Sequence, residues 1–219
     1  MNWVSYGAVA WAGKVLLVLF VIARPVWAGE GATLLALGDS LTQGYGLPQE
    51  AGFVPQLQEW LGAQGAGVTV INGGVSGDTT AGGAARVAWS LSDDVDAMIV
   101  ALGGNDLLRG IDPAVSRGNL MEILRVANAR EVPVLLIGLQ APGNYGPDYK
   151  TAFDAIYPEL AAEFGALYAT SFFQGLPGDT PGDVAAFMQA DGIHPNAEGV
   201  VRIVKGLGPD VVTLLGRVN

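Results

Sequence analysis

The sequence lacks cysteine, has a single histidine and has few basic residues. Without cysteine there can be no disulfide, no thiol nucleophile and no cysteine-bound metal. The 11 Lys and Arg against 21 Asp and Glu give a formal net charge of −10, which argues against nucleic acid or an anionic membrane as a main partner. The lone His194 leaves only carboxylates as further metal ligands, so we expect no metal site. No phosphate loop or Gly-x-Gly-x-x-Gly precedes a helical segment, so we expect no nucleotide or other cofactor.

Residues 1–28 have the features of a secretory signal peptide. Lys14 is the only charge before an apolar run at 15–23, and Val26-Trp27-Ala28 offers small residues where a signal is cut. The run is shorter than the roughly 18 residues of a membrane-spanning helix, although residues 3–12 could extend it into an anchor. We expect cleavage near Ala28, export to the periplasm or the medium, and no stable membrane span in the mature form. Residues 29–219 then form one domain.

Short apolar runs alternate with longer amphipathic segments in this domain. Apolar runs bounded by Gly, Asn or Pro predict strands buried on both faces, and apolar residues three and four apart predict helices. The alternation indicates an α/β fold in which a parallel sheet has helices on both faces. The predicted strands are 33–37, 68–71, 98–102, 134–137 and 166–169, and the predicted helices are 53–61, 113–130, 149–164 with an irregularity at Pro158, and 197–207, with a further helical stretch from Pro209.

Polar and glycine-rich segments follow the first three predicted strands, at 38–41, 72–79 and 103–106. Ligands of open parallel sheets bind beyond the carboxyl ends of the strands, so these segments are expected to form the site.

Three residues could provide nucleophilic catalysis. Ser40 lies between a strand and a helical segment, where its hydroxyl could attack a substrate, but it could equally cap the helix. Histidine is the side chain that ordinarily titrates near neutral pH, so His194 is the candidate general base. Asp191, three residues earlier, could orient the imidazole or serve only as a turn residue. The chain order Ser, Asp, His is one known order of a catalytic triad.

Acyl transfer also needs hydrogen-bond donors for the oxyanion. Asn105 follows a predicted strand and two glycines and could supply its side-chain amide, whereas Gly77 could supply its backbone N–H. Either could instead be an ordinary turn residue, with Asp78 or Thr79 capping the next helix. Together these segments offer a nucleophile, a base, an orienting carboxylate and oxyanion donors, which is the set that ester hydrolysis requires.

The sequence resembles the SGNH (GDSL) hydrolases in four ordered blocks. The resemblance spans residues 34–204 and favours the branch of periplasmic acyl-CoA thioesterases, lysophospholipases and arylesterases. It implies a flavodoxin-like, three-layer α/β/α fold with a five-stranded parallel sheet. The blocks are Gly38-Asp39-Ser40-Leu41, Gly77, Gly104-Asn105-Asp106 and Asp191-Gly192-Ile193-His194.

The resemblance also implies a role for each candidate residue. Ser40 is the expected nucleophile, His194 the general base and then acid, and Asp191 its orienting partner. The N–H groups of Ser40 and Gly77 and the side chain of Asn105 are the expected oxyanion hole.

Four further residues are expected to contact the substrate: Leu107, Ile111, Ala141 and Pro142. Ile111 belongs to a loop that lines the acyl groove in relatives. Ala141 stands where relatives tend to carry a larger apolar residue, so the preferred acyl length stays open.

These observations predict an exported serine esterase, thioesterase or lysophospholipase that works through an acyl-serine intermediate. Coenzyme A thioesters are cytosolic, which favours a small acyl ester or a lysolipid as the substrate outside the cytoplasm. We expect a monomer. The alternatives are a carbohydrate O-acetyl esterase, a peptidase acting on activated ester-like substrates, and a catalytically silent binding domain.

Overall fold

The computed structural model describes Met1 and residues 31–178 and 181–218. The predicted signal peptide lies outside the described residues, apart from Met1. In the described part of the chain, five parallel strands form one sheet. They are β1 (Thr33–Gly38), β2 (Thr69–Gly74), β3 (Ala97–Ala101), β4 (Val134–Ile137) and β5 (Leu167–Ala169).

The strand order β2-β1-β3-β4-β5 is that of the flavodoxin-like fold. The predicted fold class is therefore confirmed. The order reverses at β1, which has β2 on one side and β3 on the other, so the loops that follow these three strands lie side by side at the carboxyl edge. This edge is where open parallel sheets bind their ligands.

Helices follow or connect the strands, and three-residue 3-10 helices lie at Gln49–Ala51, Gly143–Tyr145 and Ala185–Phe187. The α-helices are α1 (Ser40–Gln43), α2 (Phe53–Ala63), α3 (Thr80–Ser90), α4 (Gly104–Leu108), α5 (Pro113–Ala129), α6 (Pro147–Asp154), α7 (Ile156–Phe164), α8 (Pro181–Val184) and α9 (Ala197–Leu215).

The sheet has an apolar core on each face. Leu34 and Ala36 of β1 pack with α2 and α9, whereas Leu35 and Leu37 pack with α3, α5, α6 and α7. Alternate residues of a strand point to opposite faces, so one apolar run serves both cores. Burying a leucine fully stabilises the fold by roughly 1.5–3 kcal/mol, which makes these two cores the main source of stability.

Three local expectations were wrong. The second predicted strand is not buried on both faces, because β2 is an edge strand with exposed or half-buried residues. The irregularity in the predicted helix 149–164 lies at Ala155 rather than Pro158, because Pro158 occupies the first turn of α7, where an N–H has no helical partner to lose. Helix α9 continues through Pro209, since the buried Leu207 and Val211 anchor it on both sides.

Within the described residues, no helix is both long and apolar enough to cross a membrane.

Candidate active site

Ser40 is the first residue of α1, directly beyond the end of β1. The cap of this helix is Asp39, whose Oδ1 accepts the N–H of Leu41 at 3.0 Å. The capping alternative for Ser40 is therefore excluded. A β-carbon at Gly38 would lie 2.9 Å from the carbonyl oxygen of Ala101 and closer still to Thr42, so only glycine allows this close turn from strand to helix.

His194 lies in the loop before α9, where Met188 and Pro195 form an antiparallel bridge. The carbonyl of His194 accepts the N–H of Gln189 at 2.8 Å. The Gln189 side chain also donates to the carbonyls of Pro195 at 3.0 Å and Tyr45 at 2.8 Å. It therefore ties the histidine loop to the segment that follows α1. The sequence analysis missed this residue, and nothing in the sequence marks it.

The side chains of Ser40, His194 and Asp191 form a continuous chain of hydrogen bonds. Nε2 of His194 lies 2.8 Å from Oγ of Ser40, and Nδ1 lies 2.7 Å from Oδ2 of Asp191. Ser40 and His194 are 154 positions apart in the sequence. The fold thus brings the three predicted triad residues together in the expected order.

Asp191 is held as an ionised acceptor. Its Oδ1 accepts the N–H groups of His194 at 3.0 Å and Ile193 at 2.9 Å. These two backbone hydrogen bonds, followed by the one to the His194 ring, lower the pKa of Asp191 to about 2. The anion can only accept, so Nδ1 of His194 carries the hydrogen toward it and Nε2 is free to accept the Ser40 hydroxyl. Asp191 is thus both a turn residue and a partner of the imidazole.

The predicted oxyanion donors Gly77 and Asn105 lie in the segments that follow β2 and β3. Gly77 adopts φ +79° in an exposed turn after β2. Asn105 is in the first turn of α4, and the left-handed residue there is Gly103 at φ +120°. The turn alternative for Asn105 is therefore excluded. Among the described residues, the N–H groups of Ser40 and Gly77 have no hydrogen-bond acceptor, so both are available to a ligand.

Two arginines connect these loops. Arg86 of α3 donates to the carbonyl of Gly38 at 2.9 Å and pairs with Asp78 at 2.8 Å. Arg109, at the end of α4, donates to the carbonyl of Gly77 at 2.9 Å. The loops that carry Ser40, Gly77 and Asn105 are therefore held to one another by side chains that the sequence analysis did not single out. No sequence pattern marks either arginine.

Asp106, next to Asn105, is a fully buried carboxylate. It accepts the N–H of Thr80 at 2.9 Å, the hydroxyl of Thr80 at 2.5 Å and the hydroxyl of Ser116 at 2.9 Å. A buried charge is tolerated when it is fully hydrogen-bonded. These contacts join α3, α4 and α5 and hold the helix that carries Asn105. The cap of α3 is Thr79, whose hydroxyl accepts the N–H of Gly82 at 3.4 Å, as one alternative for this segment predicted.

Of the four predicted substrate contacts, Leu107 lies in α4, Ile111 lies in the segment after it, and Ala141 and Pro142 lie in the loop after β4. Leu107 and Ile111 are half-buried, Pro142 is exposed, and Ala141 is 2% exposed and belongs to the core. Tyr149 of α6 donates to the carbonyl of Ile111 at 2.9 Å and so links α6 to the segment after α4. Ala141 therefore supports the surface from beneath instead of forming it.

An apolar hollow that is too small to hold a water molecule lies beside Ser40 and His194. Five large or ring-bearing residues form most of its wall. They are Leu41, Tyr45, Leu47, Pro195 and Val200. A larger concavity lies between the Gly175 turn and α9, and it contains none of the predicted site residues.

Comparison with known proteins finds similarity over most of the chain. Residues 36–202 match the model of the GDSL-like Lipase/Acylhydrolase family. The chain is 40% identical to Esterase TesA of Pseudomonas aeruginosa, over 84% of this chain and 89% of the relative. It is 36% identical to Thioesterase 1/protease 1/lysophospholipase L1 of Escherichia coli strain K12, over 82% of this chain and 83% of the relative. A crystal structure of TesA superposes with a TM-score of 0.75 at 38% identity, covering 83% of this chain and 99% of the other.

The matched region contains Ser40, Asn105 and His194, and the match extends over most of both chains. The chain therefore belongs to the GDSL-like lipase/acylhydrolase family.

Proposed function

We propose that this protein is a serine hydrolase that cleaves carboxylic esters and thioesters through an acyl-serine intermediate. The observation that carries the proposal is the chain of short hydrogen bonds from Asp191 through His194 to Ser40, at 2.7 and 2.8 Å. The names of the relatives, an esterase and a thioesterase and lysophospholipase, support the same reaction class.

In the first step, His194 Nε2 removes the proton of the Ser40 hydroxyl as Oγ attacks the acyl carbonyl carbon. The imidazolium that forms is stabilised by ionised Asp191, whose Oδ2 holds the Nδ1 proton. His194 then donates its Nε2 proton to the leaving alkoxide or thiolate, and the acyl-serine ester remains. Water attacks this ester with His194 again as base, releasing the carboxylic acid and restoring Ser40.

The tetrahedral intermediates place negative charge on the former carbonyl oxygen. We assign its stabilisation to the free N–H groups of Ser40 and Gly77 and to the side-chain amide of Asn105. Donors that are held in place before the reaction stabilise the transition state strongly, and removing one costs roughly 10²–10³-fold in kcat. The arginine contacts between the three loops support this assignment because they hold the donors together.

The acyl chain has two candidate surfaces. The surface formed by Leu107, Ile111 and Pro142, with Ala141 beneath it, would take a long acyl chain. A second candidate, an O-acetyl esterase acting on carbohydrates, would place only a short acyl group against the apolar side chains of Leu41, Tyr45 and Leu47 beside Ser40. The two differ in the preferred acyl length.

We further propose that the protein acts outside the cytoplasm on an oxygen ester or a lysolipid, as a monomer whose site is complete in one chain. The apolar run at 15–23 and the small residues before Gly29 support export. Strand β1 begins at Thr33, so cleavage after Ala28 would leave the sheet complete. The amino-terminal sequence of protein recovered from the periplasm or the medium tests this proposal, and an intact Met1 there would refute cleavage.

The direct test is hydrolysis of p-nitrophenyl esters from acetyl to palmitoyl by the wild type and Ser40→Ala. We expect hydrolysis by the wild type and its loss in the variant. A best chain length of eight carbons or more favours the lipid substrate, and a best substrate with two carbons favours the acetyl ester. A folded wild type that cleaves none of the esters, or a Ser40→Ala variant of equal activity, would refute the proposed function.

A further inference from the structure

Among the described residues, Asp39 is the one carboxylate in direct contact with the side chain of a proposed oxyanion donor. It is 3% exposed, and its two oxygens have separate partners. Oδ1 accepts the N–H of Leu41 at 3.0 Å, and Oδ2 accepts from Nδ2 of Asn105 at 3.5 Å. Asp39 therefore faces Nδ2 of Asn105, the nitrogen of the proposed oxyanion donor, although it takes no part in the triad.

This contact determines which way round the Asn105 amide lies. An amide has donor hydrogens on nitrogen and only lone pairs on oxygen, and rotation by half a turn exchanges the two. The carboxylate Oδ2 attracts Nδ2 and repels Oδ1 of Asn105. One N–H is thereby directed at Asp39, and the second is left for another acceptor.

We propose that Asp39 is a positioning residue that keeps the Asn105 amide in the orientation in which its nitrogen, not its oxygen, faces the oxyanion. The inference rests on the proposed function, since it assigns to Asp39 the orientation of a group in the proposed oxyanion hole. Among the described residues, the hydrogen bonds of the Asp39 carboxylate are to Leu41 and Asn105 and not to Ser40 or His194.

The substitution Asp39→Asn should reverse this orientation. The single side-chain oxygen of the new asparagine continues to accept the N–H of Leu41. The NH₂ group must therefore take the place of Oδ2. That NH₂ group would then face Nδ2 of Asn105, donor against donor. The Asn105 amide would rotate to offer Oδ1, and a lone pair would replace its N–H at the oxyanion.

Replacing Asp39 by Ser provides a comparison. A serine oxygen can still cap α1, but it places no donor opposite Asn105. The amide is then free to rotate without being reversed. Asp39→Ser, although it is the less conservative substitution, should therefore lower kcat less than Asp39→Asn. A purely structural role for Asp39 predicts the opposite order.

The experiment is a double-mutant cycle on an ester that the wild type cleaves, with kcat and KM measured for Asp39→Asn, Asn105→Ala and the double variant. We expect Asn105→Ala to lower kcat roughly 10²-fold or more, and Asp39→Asn to lower it at least about 10-fold, each with little change in KM. In the Asn105→Ala background, Asp39→Asn should change kcat by less than about 2-fold, because no amide remains to orient. Asp39→Ser should fall between the wild type and Asp39→Asn.

A matched control is Asp112→Asn. Asp112 caps α5 by accepting the N–H of Ala114 at 2.8 Å, with the same two-residue spacing as Asp39, but it is exposed. This variant should keep the wild-type kcat.

Independent losses that multiply in the double variant would overturn the inference, and so would a greater loss for Asp39→Ser than for Asp39→Asn. An unchanged kcat for Asp39→Asn would overturn it as well. All three outcomes leave ester hydrolysis by Ser40 intact, whereas a wild type that cleaves no ester would instead refute the proposed function.

Discussion

Asp39→Asn should make the protein more stable at neutral pH while it lowers activity. Burial raises the pKa of Asp39 from 3.8 to about 6, and the hydrogen bond from Leu41 and the proximity of His194 offset this only in part. Each unit of pKa difference between the folded and unfolded chain corresponds to about 1.4 kcal/mol. Keeping Asp39 ionised in the folded protein therefore costs about 3 kcal/mol at about pH 7.5.

The sign of the pH dependence follows from the raised pKa. Below pH 3.8 the carboxyl is protonated in both states, and the full stability is present. As the pH rises from about 4 to 6, the unfolded chain loses the proton first, so the free energy of unfolding falls. Asparagine has no such titration and keeps the cap on Leu41. The advantage of the variant should then be about 1 kcal/mol at about pH 4.5 and about 3 kcal/mol at about pH 7.5.

Urea unfolding of the wild type and Asp39→Asn at about pH 4.5, 6 and 7.5 measures this difference. Titrating groups that are not coupled to Asp39, such as Asp191 with its lowered pKa, contribute equally in both proteins and cancel. The exposed-cap variant Asp112→Asn should differ from the wild type by no more than about 0.5 kcal/mol at every pH. A constant difference between wild type and Asp39→Asn across this pH range, or a less stable variant at the highest pH, would refute the reasoning.

Two further substitutions test other contacts. Tyr157→Phe removes the buried hydroxyl that donates to the carbonyl of Leu102 at 2.9 Å. Urea unfolding should show a free energy of unfolding that is lower by about 1–2 kcal/mol. The control Tyr168→Phe, at a partly exposed tyrosine, should change it by less than about 0.5 kcal/mol. Asp191→Asn should lower kcat by about 10³-fold or more in a steady-state ester assay, because an amide NH₂ facing Nδ1 moves the His194 proton to Nε2. A loss below about 10-fold would show that the carboxylate does not set the tautomer of His194.

The strands were predictable where a short apolar run is buried on both faces, and β4 lies at 134–137 as predicted. The prediction was less accurate where packing overrides local signals. Gly73 and Gly74 resemble a turn in the sequence, yet they continue β2 because they pair with Leu37 and Gly38 of β1. Helix α3 had no predicted bounds, because Gly82 and Gly83 interrupt its apolar pattern.

The proposed site was predictable to the extent that it is local in sequence. Asp191 and His194 lie three residues apart and can meet in one turn. The approach of His194 to Ser40 depends on the whole fold, so the sequence could connect the two blocks only through the chain order of a catalytic triad and the family resemblance. Gln189 and Arg86 act through backbone carbonyls that are distant in the chain, so no sequence pattern could reveal them.

The central claim is that Ser40 is a nucleophile activated by His194. Intact mass spectrometry after treatment with a fluorophosphonate, followed by peptide mapping, tests it most directly because no substrate has to be known. The account predicts one phosphonyl group on Ser40 in the wild type, none in Ser40→Ala, and labelling slower by about 10²-fold or more in His194→Ala. Labelling of a different serine, or an unchanged rate in His194→Ala, would contradict it.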